Sequence, residues 1–193
     1  MSLIISEGNS KLGKVPNISL PPVITCRPKV PCKKKCYANK AFRLWPSVKA
    51  AWNNNLEFYR TYGAKIYFKR VGIWLEENKP EYFRWHVSGD CPDAGYLQGV
   101  LDVAMDFPET KFMMFTKRWD LFPKDMYFPG NLTIILSMWP RLKNPTALKF
   151  PRSWLSIDKR KPEYHFKCPG KCDQCYKCWE LVKLGHDVVF DLH

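Results

Sequence analysis

The 193-residue chain has no long hydrophobic run, few glycines and few acidic residues. No stretch approaches the roughly 20 consecutive apolar residues of a membrane-spanning helix, and residues 1–10 lack the basic start and apolar centre of a secretion signal. We therefore expect a cytoplasmic protein that makes no membrane contact. With 10 glycines and a hydrophobic fraction of 46%, the composition also excludes a collagenous or disordered chain and predicts one folded domain over residues 1–193.

The scarcity of acidic residues leaves a large positive charge. Lysine and arginine number 31 against 18 aspartates and glutamates, so the formal net charge is +13. This balance favours polyanionic partners, and we expect a nucleotide or nucleic acid as substrate. Four aromatic residues lie near the most basic stretches and are able to stack on bases: Tyr37, Trp45, Trp154 and Tyr164. The alternative role of the cations is to lower thiol pKa values and to offset the charge of thiolate ligands.

Eight cysteines are many for a cytoplasmic chain, because thiols stay reduced there and disulfides are rare. Metal binding is therefore the leading explanation. Cys26, Cys32 and Cys36 form a first group, separated by five and three residues. Three thiolates on one loop can hold three corners of a [4Fe-4S] cluster and leave the fourth iron open to a small molecule, whereas a structural zinc site closes with four ligands.

A second group places four cysteines within eleven residues: Cys168, Cys172, Cys175 and Cys178. Its last three members share the two-residue spacing of ferredoxin-type iron-sulfur runs, which predicts a second cluster. Zinc is the alternative at this C-terminal site. Buried or free thiols, and a mixed site with one cysteine from each group, also stay open. Residues 165–180 are thus expected to form a Cys-rich, cluster-binding insertion.

The apolar pattern alternates between strands and helices. Six short runs rich in branched or aromatic residues predict strands: Ile18–Thr25, Phe83–Ser88, Lys111–Thr116, Asn131–Ser137, Ser153–Ile157 and Asp187–Leu192. Helical periodicity follows Pro46, a second helix stops before Pro80, and a third opens at residues 91–93. The alternation predicts an α/β fold, either an open doubly wound sheet or a partial (β/α)6 TIM-like barrel, and we take the barrel as the prediction.

In both architectures, chemistry gathers at the carboxyl ends of the strands. The candidate site there consists of Cys26, Ser88, Gly89, Asp90, Thr116, Lys117, Arg118, Ser137, Met138, Trp139, Asp158 and His193. Lys117 and Arg118 are suited to contact a carboxylate or phosphate. Alternation within its strand puts His86 on the face of Arg84, as a ligand, a proton donor or a hydrogen-bonded core residue. Cys91 either completes a coordination sphere or is a small buried side chain.

Four stretches resemble a family of small phage proteins known as gene product 88. They are residues 25–40 with the ending Cys36-Tyr37-Ala38-Asn39, residues 83–90, residues 115–118, and residues 168–179. Three of these features are also similar to a larger phage family that resembles radical S-adenosylmethionine enzymes. The shared features are a three-cysteine loop ending in Cys-Tyr-Ala, a Gly-Asp corner after the next strand, and a Thr-Lys-Arg strand end.

The second resemblance implies a function for most of these residues. Cys26, Cys32 and Cys36 would hold a [4Fe-4S] cluster, and its open iron would bind the amino and carboxylate groups of S-adenosylmethionine. One electron, supplied by a reductant protein of the host, would release methionine and a 5′-deoxyadenosyl radical. Ser88, Gly89 and Asp90 would contact the methionine amino group, with Lys117 nearby. The C-terminal cysteines would carry an auxiliary cluster.

Two hypotheses follow for the function. The first is a small iron-sulfur protein of the radical S-adenosylmethionine type that acts on an anionic substrate in the cytoplasm of a phage-infected bacterium. The second is a non-catalytic phage protein that binds nucleic acid and is stabilised by zinc or by clusters.

Overall fold

The computed structural model describes residues 2–123 and 127–191. Seven strands form a single sheet in which every neighbouring pair is parallel. In chain order the strands are β1 (Asn17–Ile18), β2 (Tyr82–Trp85), β3 (Lys111–Thr116), β4 (Leu132–Ser137), β5 (Arg152–Leu155), β6 (His165–Lys167) and β7 (Asp187–Phe190). Their order across the sheet is β1-β2-β3-β4-β5-β7-β6. The predicted α/β class is therefore confirmed.

The first strand is much shorter than predicted. Strand β1 pairs with β2 at Asn17 and Ile18, so Ile18 is the one residue of the expected run Ile18–Thr25 in this strand. Pro21 and Pro22 follow, and neither can donate a backbone hydrogen bond to a sheet. The chain consequently leaves the sheet early and forms the loop that carries the first cysteine group.

Four α-helices accompany the sheet: α1 (Tyr37–Leu44), α2 (Pro46–Asn78), α3 (Ala94–Asp106) and the short α4 (Leu181–Leu184). Pro46 is the first residue of α2, where a missing N–H costs nothing. Gly63 has non-helical backbone angles inside α2 (φ 73°, ψ 173°), so this segment consists of two helices joined at a kink, in agreement with the two predicted there. Asp93 caps α3 by accepting a hydrogen bond from the backbone of Tyr96.

The two faces of the sheet are covered by different parts of the chain. Helices α2 and α3 pack on one face, where Phe83, Trp85 and Phe112 are fully buried. The C-terminal segment and residues near Leu12 pack on the other face. The indole of Trp179 donates to the carbonyl of Phe83, so the Cys-rich residues 165–180 are fastened to the sheet. Among the described residues, no helix combines the length and apolar character needed to cross a bilayer.

His86 departs from the predicted strand alternation. Strand β2 ends at Trp85, and His86 has a left-handed backbone (φ 55°). A residue in that conformation turns the chain, so alternation no longer fixes the direction of its side chain. The ring of His86 contacts Tyr96 of α3, on the helical side of the sheet, while Arg84 lies over Phe115 on the other side. The two side chains therefore have different neighbours, although both line the cavity at the strand ends.

Candidate functional site

A cavity of about 220 Å³ lies at the carboxyl ends of the strands and brings the two cysteine groups together. Its walls include residues just after β2, β3 and β4 and residues from the ends of β5 and β7. The predicted site residues that line it are Cys26, Cys32, Cys36, Ser88, Gly89, Asp90, Lys117, Cys168, Cys172 and Cys178. The fourth thiol of the second group, Cys175, is on the same loop but outside the described lining. The cavity therefore lies at the edge of the sheet where the carboxyl ends of the strands led us to expect a site.

The first cysteine group lies on the loop between β1 and α1. The backbone N–H of Val23 donates to the sulfur of Cys26 at 3.3 Å. Cys36 immediately precedes α1, and its carbonyl accepts from the backbone of Lys40. The hydroxyl of Tyr37 donates to the carbonyl of Val87 at 2.6 Å. That bond fastens the cysteine loop to the corner after β2.

All eight cysteines are free thiols, and burial raises the pKa of two members of the first group, Cys26 and Cys32. Desolvation, reinforced by the nearby Asp90, raises the pKa of Cys26 to about 12. Desolvation also raises the pKa of Cys32, and the positive charge of Lys117 opposes this shift. Thiolates are the form that binds metal, so loading of this site must displace protons.

The second cysteine group packs against the sheet, with Cys178 buried and the other three thiols partly buried, and a buried cation lies close to it. Desolvation raises the pKa of Cys178 to about 12, and raises that of Cys172 as well, while the charge of Arg84 opposes both shifts. Arg84 is 7% exposed, its guanidinium lies 5.1 Å from the ring centre of Phe115, and its Nε has no hydrogen-bond partner. The sequence analysis did not assign Arg84 to the site. The feature that could have indicated it is a charged residue among the apolar residues of β2.

The sulfurs within each group are spread apart. In the described ranges, no three cysteine sulfurs lie within 4.8 Å of one another. A single tetrahedral zinc ion with Zn–S bonds of about 2.3 Å would hold its sulfurs about 3.8 Å apart. In a four-iron cluster each thiolate binds a different iron, which requires a wider separation. The observed spacing is therefore wider than a preformed zinc site has.

The Gly89-Asp90 corner is a tightly built part of the cavity wall. Gly89 has φ 77°, and a Cβ there would lie 2.6 Å from Oγ1 of Thr25, so only glycine fits. Asp90 is buried, and its Oδ1 accepts bonds from Thr116 Oγ1 (2.6 Å) and the backbone of Cys91 (2.9 Å). Its Oδ2 accepts one bond, from the backbone of Lys117 (2.7 Å). Burial raises the pKa of Asp90, and these hydrogen bonds oppose the shift.

Lys117 connects two strand ends. Its Nζ donates to Oγ of Ser137 at 2.7 Å, so the ammonium group is positioned between the ends of β3 and β4. Thr116, Met138 and Trp139 line the cavity as well. Together with Arg84, Lys117 makes the wall positively charged.

The remaining members of the predicted site lie elsewhere. Arg118 donates to the carbonyls of Cys91 and Pro92. Asp158 pairs with Arg160 at 2.7 Å. Neither is part of the described cavity lining. Each side chain instead contacts a loop through the bonds just given. His193 lies outside the described residues.

The comparisons with known proteins identify the family of this chain. The sequence model of the family described as Gene product 88 matches residues 3–146, more than half of the chain. The match includes the first cysteine group and the Gly89-Asp90 corner and ends before the second cysteine group. No curated protein and no solved structure gives a match. None of these comparisons supports the resemblance to radical S-adenosylmethionine enzymes, which stays a prediction. The chain belongs to the gene product 88 family of phage proteins.

Proposed function

We propose that this protein is a small iron-sulfur enzyme of the radical S-adenosylmethionine type, acting on an anionic substrate in the cytoplasm of an infected bacterium. The observation that supports this most is the convergence of six thiols on one cavity, together with Asp90 and Lys117. Cysteines from opposite ends of the chain have no reason to meet at one strand-end cavity if they are only small buried side chains.

The strand order supports the finer fold prediction of a partial (β/α)6 TIM-like barrel. From β1 to β5 the order across the sheet follows the order along the chain without reversal. A doubly wound sheet reverses its order at a switch point, whereas a barrel-type sheet advances in one direction. In such a barrel, the face that carries Arg84 and Met113 would be the interior.

The residues of the first group fit a cluster by their chemistry. Cys26, Cys32 and Cys36 are unbridged thiols on one loop, they line one cavity, and their sulfurs do not all lie within 4.8 Å of one another. A reduced cluster with S-adenosylmethionine bound to its open iron would supply a radical that removes a hydrogen atom from the substrate. Cys168, Cys172, Cys175 and Cys178 would hold an auxiliary cluster, with zinc as the alternative there.

The cavity wall provides contacts for the polar groups of the bound molecules. Oδ2 of Asp90 accepts one hydrogen bond and so retains a lone pair for an ammonium group. Ser88 is buried, and its Oγ has no hydrogen-bond partner. Lys117 and Arg84 offer positive charge to a carboxylate or phosphate.

Product formation tests the proposal. The protein is reconstituted anaerobically with iron and sulfide and incubated with S-adenosylmethionine and a strong reductant. We expect 5′-deoxyadenosine in amounts that exceed one turnover, and none from Cys26→Ala or Cys36→Ala. Thr133→Val is the matched control, because Thr133 is buried and does not line the cavity. If the wild-type protein carries a cluster but forms no product, the radical assignment is wrong.

One surface favours the second hypothesis, nucleic-acid binding. Residues 8–56 contain no acidic residue. Within them Lys33, Lys34, Lys35, Lys40, Arg43 and Lys49 are exposed, and Trp45 is 61% exposed. Exposed cations beside an exposed aromatic ring are the features that hold single-stranded nucleic acid. A colourless protein with zinc alone that binds single strands would replace the enzyme proposal with this binding role.

A further inference from the structure

Three side chains of metal-binding type lie together next to the cavity, apart from both cysteine groups. A ring nitrogen of His86, a carboxylate oxygen of Asp90 and the sulfur of Cys91 lie within 4.8 Å of one another. Each residue is at most 4% exposed. Within the described part of the chain, this is the one set of three or more such groups with that spacing.

The His86 ring has one nitrogen held and one nitrogen unused. Its Nε2 lies 3.2 Å from the hydroxyl of Tyr96, which lies 3.1 Å from the hydroxyl of Tyr67. Its Nδ1 is buried and has no hydrogen-bond partner. When Nε2 donates to Tyr96, Nδ1 carries a lone pair, and a bond of this kind fixes the tautomer of a metal-binding histidine. In that tautomer the unpartnered Nδ1 is in the form that binds a metal ion.

The backbone also holds His86 in an unusual state. A left-handed conformation is costly for a residue with a Cβ, and it persists only where the surroundings enforce it. Here it directs the ring away from the Arg84 face and toward Asp90 and Cys91. Asp90 is likewise fixed by Thr116 and Lys117 and retains a lone pair on Oδ2.

We propose that His86, Asp90 and Cys91 bind one divalent cation of the zinc class, with its fourth position open to the cavity. One nitrogen, one oxygen and one sulfur ligand suit zinc and exclude the oxygen-seeking ions magnesium and calcium. A carboxylate and a thiolate neutralise the ion, which a buried site requires. Binding releases the thiol proton of Cys91 to solvent. His86 and Asp90 line the cavity, so a molecule in the cavity reaches the fourth position.

Three protein ligands with one open position are the pattern of a catalytic zinc site rather than a structural one. The inference goes beyond the iron-sulfur proposal and does not rest on it. The two meet at Asp90, because the metal takes the lone pair that an ammonium group would otherwise use. Zinc binding would therefore reassign Asp90 and leave the roles of the cysteine groups unchanged.

The test uses the full chain after anaerobic reconstitution with iron and sulfide, followed by titration with Zn²⁺. We expect about one zinc per chain, with X-ray absorption showing one sulfur at about 2.3 Å and two or three nitrogen or oxygen ligands at about 2.0–2.1 Å. Zinc bound only by sulfur, or no zinc bound, would overturn the proposal.

Matched variants separate this site from the cysteine groups. Cys91→Ala and His86→Gln should each weaken zinc binding by more than about 100-fold, beyond the usual cost of changing an outer-shell partner. Ser88→Ala, a neighbouring buried polar residue, should retain zinc. Iron content should survive all three changes, whereas Cys26→Ala should lose iron and keep the zinc. Circular dichroism reports folding; if Cys91→Ala does not fold, His86→Gln decides.

Discussion

Asp90 accepts a 2.6 Å hydrogen bond from the hydroxyl of Thr116, and this bond joins the corner after β2 to the end of β3. Both residues are buried. The same hydroxyl accepts from the backbone of Arg118 at 2.8 Å. A small polar network therefore fixes the cavity wall between two neighbouring strands. This network forms from protein groups alone, without a metal ion or a cofactor.

Thr116→Val tests this network. The change keeps the shape of the side chain but removes the donor to a carboxylate, so the free energy of unfolding should fall by about 1.5–3 kcal/mol. Thr133→Val is the control, because Thr133 donates to the neutral carbonyl of Trp179 and should lose only about 1 kcal/mol. Urea unfolding measures both. Equal losses of unfolding free energy in the two variants would show that the hydrogen bond to Asp90 stabilises the fold no more than a hydrogen bond to a neutral carbonyl.

Gly89→Ala should destabilise the corner by at least about 2 kcal/mol, because it combines a left-handed backbone with overpacking. The new methyl group would meet Thr25 Oγ1 and the carbonyl of Leu20. Gly130→Ala is the control, since a Cβ there meets nothing within 4 Å. Thermal and urea unfolding of the two variants give the comparison. An unfolding free energy of Gly89→Ala equal to that of Gly130→Ala would contradict the described corner.

Stability should depend on pH through His86. Burial, with a smaller effect of Arg84, lowers the pKa of His86 from 6.5 to about 3. Below pH 6.5 the unfolded chain binds a proton that the folded chain does not, so stability falls as the pH drops from about 6.5 toward 3. Between pH 7 and pH 5 this contributes a loss of about 2 kcal/mol. In metal-free protein, His86→Gln should lack that part of the loss; identical losses would refute it.

The exposed ring of Trp45 should contribute to single-strand binding. Removal of one stacking aromatic costs about 1–3 kcal/mol, so Trp45→Ala should weaken binding of a short single strand about 5-fold to 150-fold. Tyr127→Ala is the control, because Tyr127 is 71% exposed but outside the acid-free stretch. Fluorescence anisotropy at two salt concentrations measures both variants. No difference between them would remove residues 8–56 as the binding surface.

The sequence predicted those elements whose apolar pattern and boundaries agree. Strand β3 matches its prediction, because the apolar residues 112–115 lie between a polar residue at each end, Lys111 and Thr116. Strand β6 was missed because it is three residues long and pairs with β7 alone. Helix α1 was missed because only one of its eight residues, Ala38, is buried and because it follows directly on the cysteine loop.

Residues of the candidate site could be predicted from sequence where the parallel topology fixes their place at the strand ends. They were missed where their place depends on an unusual backbone conformation or on a tertiary contact. Strand ends of a parallel sheet share one edge, so Asp90, Lys117 and the first cysteine group could be placed together from sequence. A left-handed turn is usually occupied by glycine, so nothing in the sequence indicates such a turn at His86. The position of Arg84 beside the second cysteine group depends on how the C-terminal segment packs, which pattern alone does not give.

Metal content tests the central claim most directly. Iron, zinc and acid-labile sulfide are measured per chain in anaerobically purified wild-type protein and in Cys26→Ala. The account predicts a brown protein with at least about four irons and four sulfides per chain, of which Cys26→Ala loses about four of each. A colourless protein with zinc and no iron, or iron content unchanged in Cys26→Ala, would contradict it.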